Sequence, residues 1–170
     1  MAITTKELIR LCRRIQAEAL IDALEAYGVK CEYIGHGLSR EVYKVPDLPL
    51  VLKVENGRDP WQSKNEVAAI RLINRKSQFA QLRQYVPKIY YAKVKAKGGG
   101  VILAEYYPLT VDDVHLTEFQ QARLHLQELF AKHEFTDIQE ISSINIRFTE
   151  SKQPIAIDLG CSVWRPACNS

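Results

Sequence analysis

The sequence has no long apolar run. Its longest stretches without a polar residue, such as Val101-Ile102-Leu103-Ala104, are only a few residues, far short of the roughly 20 needed to cross a bilayer as a helix. No membrane partner is therefore expected. Metal-binding spacing is lacking too. The four cysteines, Cys12, Cys31, Cys161 and Cys168, form no C-x-x-C pair and have no histidine cluster beside them. That argues against a zinc site and for reduced thiols. There is no internal repeat and no low-complexity linker. The opening stretch MAITTKELIRLCRRIQ carries charges inside its apolar positions, unlike a signal peptide, so the cytoplasm is the expected address.

What is present has an ordinary balance. Hydrophobic residues make up 46% and charged residues 25% of 170, which excludes a disordered tail or a disulfide miniprotein and suits one domain, 1–170, with its own core. The formal charge is +3, unevenly spread. Residues 61–97 hold nine Lys/Arg and one acid, Glu66, whereas residues 98–170 hold five Lys/Arg and ten acids. A basic stretch of this kind suits phosphate or nucleic acid. Mutual neutralisation of the two halves is the plainer reading, because no aromatic or motif pattern for nucleic acid accompanies the charge.

Periodicity sets the elements. Residues 4–27 read as an amphipathic helix, capped by Thr4 or Thr5 and stopped by Gly28. Cys31–Ile34, Glu41–Val45 and Leu50–Glu55 read as three strands of an antiparallel meander. Trp61–Phe79 reads as a helix. Lys88–Lys95 and Val101–Tyr107 read as strands around Lys97-Gly98-Gly99-Gly100, a flexible hairpin turn with no helix after it to make a phosphate cradle. Leu116–His133 reads as another long helix. Ile144–Phe148 and Ile155–Leu159 are the last strands. The pattern is α+β.

Several residues have the chemistry of a site. Gly35-His36-Gly37-Leu38-Ser39-Arg40-Glu41-Val42-Tyr43-Lys44-Val45 joins the first two strands through a turn without Cβ atoms at two positions. Such a turn can fold over phosphates, or it can be a plain hairpin. Lys53, in Val51-Leu52-Lys53-Val54, is a lysine among apolar residues. Either its ammonium meets an anion or it stands on a solvated face. Glu66, the one acid of the basic helix, can come onto Lys53 or pair at the surface with Arg71. Asn145 and Asp158 are separated by a two-strand hairpin, which brings an amide and a carboxylate together at adjacent strand ends. Hard oxygen ligands of that kind suit Mg²⁺.

Together these residues resemble the protein-kinase-like superfamily, which includes the eukaryotic-type kinases and related small-molecule phosphotransferases. The Gly-rich turn, the Val-Tyr-Lys-Val strand, the strand lysine, the helix glutamate, the Leu103-Ala104-Glu105-Tyr106 strand end and Asp158-Leu159-Gly160 stand in family order over about residues 31–160. The resemblance implies an N-lobe-like sheet and helix over 31–107, with an extra N-terminal helix at 4–27. It also implies a reduced C-lobe-like part over 108–170. Gly35 and Gly37 would cover ATP phosphates. Lys53 would hold the α- and β-phosphates and pair with Glu66. Glu105 to Tyr107 would meet adenine, and Asn145 and Asp158 would hold Mg²⁺.

Three departures accompany the resemblance. Arg40 stands where the loop's third glycine is expected. The His-Arg-Asp triplet of the catalytic loop is absent, which leaves Asp137 favoured as the base and Glu140, five residues before Asn145, as its competitor. Only ten residues follow Gly160, so the expected form lacks the usual helical lobe. Its substrate platform then comes from Leu116–His133, the N-terminal helix or a partner protein. The leading expectation is an ATP–Mg²⁺ phosphotransferase acting on a protein or small-molecule hydroxyl. The alternatives are a pseudokinase that docks to another protein and a nucleic-acid binder using residues 61–97.

Overall fold

The computed structural model describes residues 3–37, 39–57, 59–95, 98–136, 145–161 and 163–164. Leu38, Lys97, Asp137, Glu140 and Cys168 lie outside the described residues. The chain divides into two compact units, Met1–Lys64 with Lys88–Tyr106, and Asn65–Pro87 with Tyr107–Ser170.

The first unit is a sheet covered by helices. It opens with α1, Thr5–Arg14. A capping box starts this helix: the Glu7 N–H donates to Thr4 Oγ1 at 3.3 Å, and the Thr4 N–H donates to the Glu7 carboxylate at 2.9 Å. Two of the four orphan N–H donors of the helix start are thereby satisfied, and the Glu7 carboxyl is held below its usual range, chiefly by its Thr4 hydrogen bonds.

The single helix expected over 4–27 is broken. Ile15 is extended, a 3₁₀ turn covers Ala17–Ala19, and α2 runs over Leu20–Ala26. A straight helix would turn Leu8 and Leu20 about 120° apart. The break lets Leu8, Cys12, Leu20 and Leu24 enter one core. Lys93 holds the break: its ammonium donates to the carbonyls of Cys12, at 2.7 Å, and Ile15, the carbonyls a helix end leaves unpaired. Burial pulls the Lys93 ammonium below its ordinary range and pushes the Cys12 thiol up to about 12. Gly28 ends α2 at φ 76°, a conformation that favours glycine.

Five strands follow: β1 Glu32–His36, β2 Arg40–Val45, β3 Leu50–Glu55, β4 Ile89–Lys95 and β5 Gly99–Glu105. They form one antiparallel sheet in the order β1-β2-β3-β5-β4. β3 is central, and all six of its residues are buried. Leu50, Leu52 and Val54 join Val101, Leu103 and the apolar residues of α1 and α2 in one cluster.

The glycine run is not a loose turn. The Gly98 N–H closes the turn onto the Lys95 carbonyl, while Gly99 and Gly100 belong to β5. A Cβ on Gly99 would stand 2.7 Å from Ala17 Cβ, and one on Gly100 would stand 2.6 Å from Ser63 Cβ. These glycines serve close packing, which a single-sequence pattern of three glycines does not reveal.

α3, Trp61–Arg75, ends four residues earlier than the expected helix and gives way to a 3₁₀ segment, Ser77–Tyr85. Arg83 donates to the Ile73 and Lys76 carbonyls at the end of α3, both at 3.2 Å. The second unit continues with α4, Leu116–Lys132, and four short strands: β6 Phe135–Thr136, β7 Ile146–Phe148, β8 Pro154–Ala156 and β9 Val163–Trp164. β6 pairs with β9 and β7 with β8. Phe135 anchors the unit's aromatic core, meeting Phe79 at 5.5 Å and Phe130 at 5.8 Å, both edge to face. Among the described residues, no helix is long and apolar enough to cross a membrane.

Candidate functional site

The site residues of the first unit gather around the central strand. Lys53 lies opposite Val42 of β2 and Ile102 of β5, so its ammonium stem runs between two β-branched neighbours on one face of the sheet. Lys53 is 5% exposed. The solvated-face alternative for it is therefore excluded. Glu66, a residue of the second unit, is 0% exposed, so the surface-pair alternative is excluded for this acid as well. Buried charges are costly unless compensated.

The Gly-rich turn joins β1 to β2. The Gly37 N–H donates to the Arg40 carbonyl at 2.7 Å, and the β1–β2 register shifts between Tyr33 and Gly35. A Cβ on Gly35 would meet no heavy atom within 4 Å. The backbone there borders open space, as a phosphate-covering turn requires and as a plain hairpin also permits. Arg40, the departure at the third glycine position, is 3% exposed and stands opposite Glu55 in the register.

Glu55 escaped the sequence reading. It ends β3, is 1% exposed, and gathers three hydrogen bonds. One carboxylate oxygen accepts from the Ser39 hydroxyl at 2.7 Å and the Gln62 N–H at 3.3 Å; the other accepts from the Ser63 N–H at 2.7 Å. Glu55 thus caps the start of α3 from a neighbouring strand. Its partners lie 7 to 16 positions away in the chain, so no local pattern announces it.

The strand end expected to meet adenine is partly committed. The Glu105 N–H donates to the Lys88 carbonyl at 3.0 Å and the Tyr106 N–H to the Pro49 carbonyl at 2.9 Å. These two donors tie β5 to its surroundings. Lys44 lies over the Tyr106 ring at 4.9 Å, a cation–π contact. Tyr107 is half-buried.

In the second unit, β7 and β8 bring Asn145 and Asp158 to adjacent strand ends. The Ile157 N–H donates to the Asn145 carbonyl at 2.9 Å, continuing the ladder past Ile146 and Ala156. Asp158 Oδ1 accepts from the Gly160 N–H at 2.9 Å, an Asx-type turn. Both side chains are half-buried. The amide and carboxylate oxygens fit a hard cation that keeps most of its ligands as water and phosphate oxygens. Among the described residues, no three His, Cys, Asp or Glu side chains gather into a larger metal cluster.

The basic stretch is partly spent on structure. Lys93 and Arg83 hold helix-end carbonyls, and Lys88 lies over the Tyr90 ring at 4.8 Å.

No family model matches this chain, and no curated protein matches its sequence. Among solved structures, it is similar to a chain of the CAK complex from Chaetomium thermophilum, a structure bound to ATP-γ-S. The TM-score is 0.54 at 15% identity, covering 86% of this chain and 52% of that one. The fold is protein-kinase-like. Its antiparallel five-stranded sheet and the helix that follows β3 are those of a kinase-like N-lobe. The chain spans about half the length of this neighbour.

Proposed function

We propose that this chain binds ATP with Mg²⁺ and transfers the γ-phosphoryl group to a hydroxyl of a protein or a small molecule. Lys53 carries the reading. A lysine buried at the middle of a central strand, between Val42 and Ile102, holds its cation out of bulk water, where an anion is attracted more strongly than at the surface. It suits an anionic ligand well, and the CAK structure of like fold holds an ATP analogue.

In this reading Gly35 and Gly37 cover the phosphates and Lys53 holds the α- and β-phosphates. Glu66 keeps the supporting role that the resemblance gives it, and the Glu105–Tyr107 strand end borders the adenine. Asn145 and Asp158 would hold Mg²⁺ through hard oxygens, the ion neutralising phosphate charge when bound. Asp137, next in sequence after β6, would accept the proton of the attacking hydroxyl, a role worth about 10²–10⁴ in rate. The acceptor's platform falls to α4, to α1 and α2, or to a partner protein.

A second reading has its own observation. The Asp158 carboxylate caps the Gly160 amide, which alone is sufficient reason for an aspartate there. A nucleotide-binding or empty pseudokinase that docks to another protein is consistent with it.

A thermal melt of the full chain with ATP, with and without Mg²⁺, tests the shared core of both. At about 100 times its Kd a ligand adds about 2.7 kcal/mol, a rise of several degrees for this length. The expected result is a rise that is larger with Mg²⁺. No rise at millimolar nucleotide would remove the phosphotransferase reading and leave the docking one.

A further inference from the structure

The turn between β1 and β2 borders open space at both of its glycines. A Cβ on Gly35 would touch nothing, and one on Gly37 would reach only Gln62 Oε1, at 4.0 Å. His36 makes only a local contact, 3.4 Å to the Gly37 carbonyl, and is exposed. The Ser39 side chain reaches beyond the β1–β2 hairpin, with its hydroxyl 2.7 Å from the Glu55 carboxylate and 2.8 Å from the Gln62 side-chain amide.

Those bonds are of the strong kind. Glu55 is buried, and a hydroxyl donating to a buried carboxylate makes a charge-assisted bond. The Ser39 hydroxyl has one proton, so it cannot donate to both acceptors. Donation to Glu55, with the Gln62 amide turned to donate its NH₂ to the Ser39 oxygen, satisfies all three groups. The Gln62 and Ser63 N–H groups complete the Glu55 carboxylate from the first turn of α3. Strand β3, the turn and the start of α3 are thus fastened at one buried carboxylate.

We propose that Ser39 and Glu55 form a latch that fastens the glycine-rich turn to the first turn of α3, making Ser39 a positioning residue for a phosphate-bearing ligand beneath the turn. The positioning role rests on the nucleotide reading; the latch itself does not. A ligand that needs the turn ordered binds more weakly by the fraction of molecules in which it is ordered. Fastening the turn in advance removes that loss.

The test uses the full chain as wild type, Ser39→Ala and Ser39→Thr. Hydrogen–deuterium exchange without ligand is measured over residues 33–42, followed by titration with Mg²⁺–ATP. Loss of a hydrogen bond to a charged group predicts exchange faster by roughly tenfold in Ser39→Ala, with recovery in Ser39→Thr, which keeps the hydroxyl. ATP affinity falls by about the same factor and recovers likewise. Unchanged exchange in Ser39→Ala overturns the latch, whatever ATP does. Faster exchange with unchanged affinity overturns the positioning role. A wild type that binds no ATP overturns the nucleotide reading and the positioning role with it, while the exchange result still decides the latch.

Discussion

The two faces of β3 are equally buried and chemically opposite. One face is Leu50, Leu52 and Val54, packed in the cluster with α1 and α2; the other is Val51, Lys53 and Glu55. Burial of the first face is driven by the hydrophobic effect, about 25 cal/mol per Å² of apolar surface removed from water. Burial of the second runs against charge solvation and persists only where polar partners compensate it. For Glu55 those partners are visible in Ser39, Gln62 and Ser63. The contrast separates a face buried by apolar packing from a face that buries charged groups.

The sharpest way to break the comparison is one substitution on each face. Leu52→Ala removes a fully buried side chain from the apolar face and should cost about 2–5 kcal/mol in urea unfolding, leaving the affinity of the folded fraction for ATP unchanged. Lys53→Met, one position away, should lower ATP affinity by roughly ten- to a hundredfold, the worth of a charged hydrogen bond, read by calorimetric titration with the far-ultraviolet circular dichroism unaltered. Equal nucleotide affinity in Lys53→Met would assign the lysine to structure and make the two faces alike.

A smaller effect sharpens the role of close approach. Gly100→Ala forces a Cβ to within 2.6 Å of Ser63 and should destabilise by about 1–3 kcal/mol, as overpacking does. Gly98→Ala meets Lys95 only at an ordinary 3.7 Å and should stay within about 0.5 kcal/mol. Equal losses would mean that Gly98 and Gly100 matter through backbone freedom alone.

The smallest effect is in pH. Burial raises the folded-state thiols of Cys12 to about 12 and Cys31 to about 11, from a reference of 9.0. A raised pKa means that the folded state holds its proton more tightly than the unfolded state. The stability linked to these thiols is then fully present below pH 9 and is lost as pH rises through the window from 9 to 12. Alkaline unfolding should show this slope, and Cys12→Ala should flatten it. An identical slope in the variant would show that the ionisation of Cys12 does not differ between the folded and unfolded states in that window.

Much of this was legible in advance, for identifiable reasons. The strand positions of β2 and β3 followed from short apolar segments between Gly and Pro breaks. The hairpin that joins Asn145 to Asp158 followed from two short strands around Thr149–Pro154. The helix expected over 61–79 ends at Arg75, and two further readings were corrected by tertiary contacts. The helix over 4–27 breaks at Ile15 because Leu8 and Leu20 must reach one core. Gly99 and Gly100 are strand residues because Ala17 and Ser63 come up against them. Glu55 was invisible because a capping carboxylate delivered from another strand leaves no local signature.

By itself, the sequence determined the α+β pattern, a threonine cap at the start of the first helix, and the order of the Gly-rich turn, lysine, glutamate, amide and carboxylate along the chain. These rest on interactions within a few residues, where side-chain period and hydrogen-bond reach are set by the backbone itself. Only the tertiary structure decided which charges are buried, which glycines are packed, and that Ser39, Glu55 and Gln62 meet. Burial is decided by what distant segments bring to a residue, and a residue's own neighbours in the chain do not specify that.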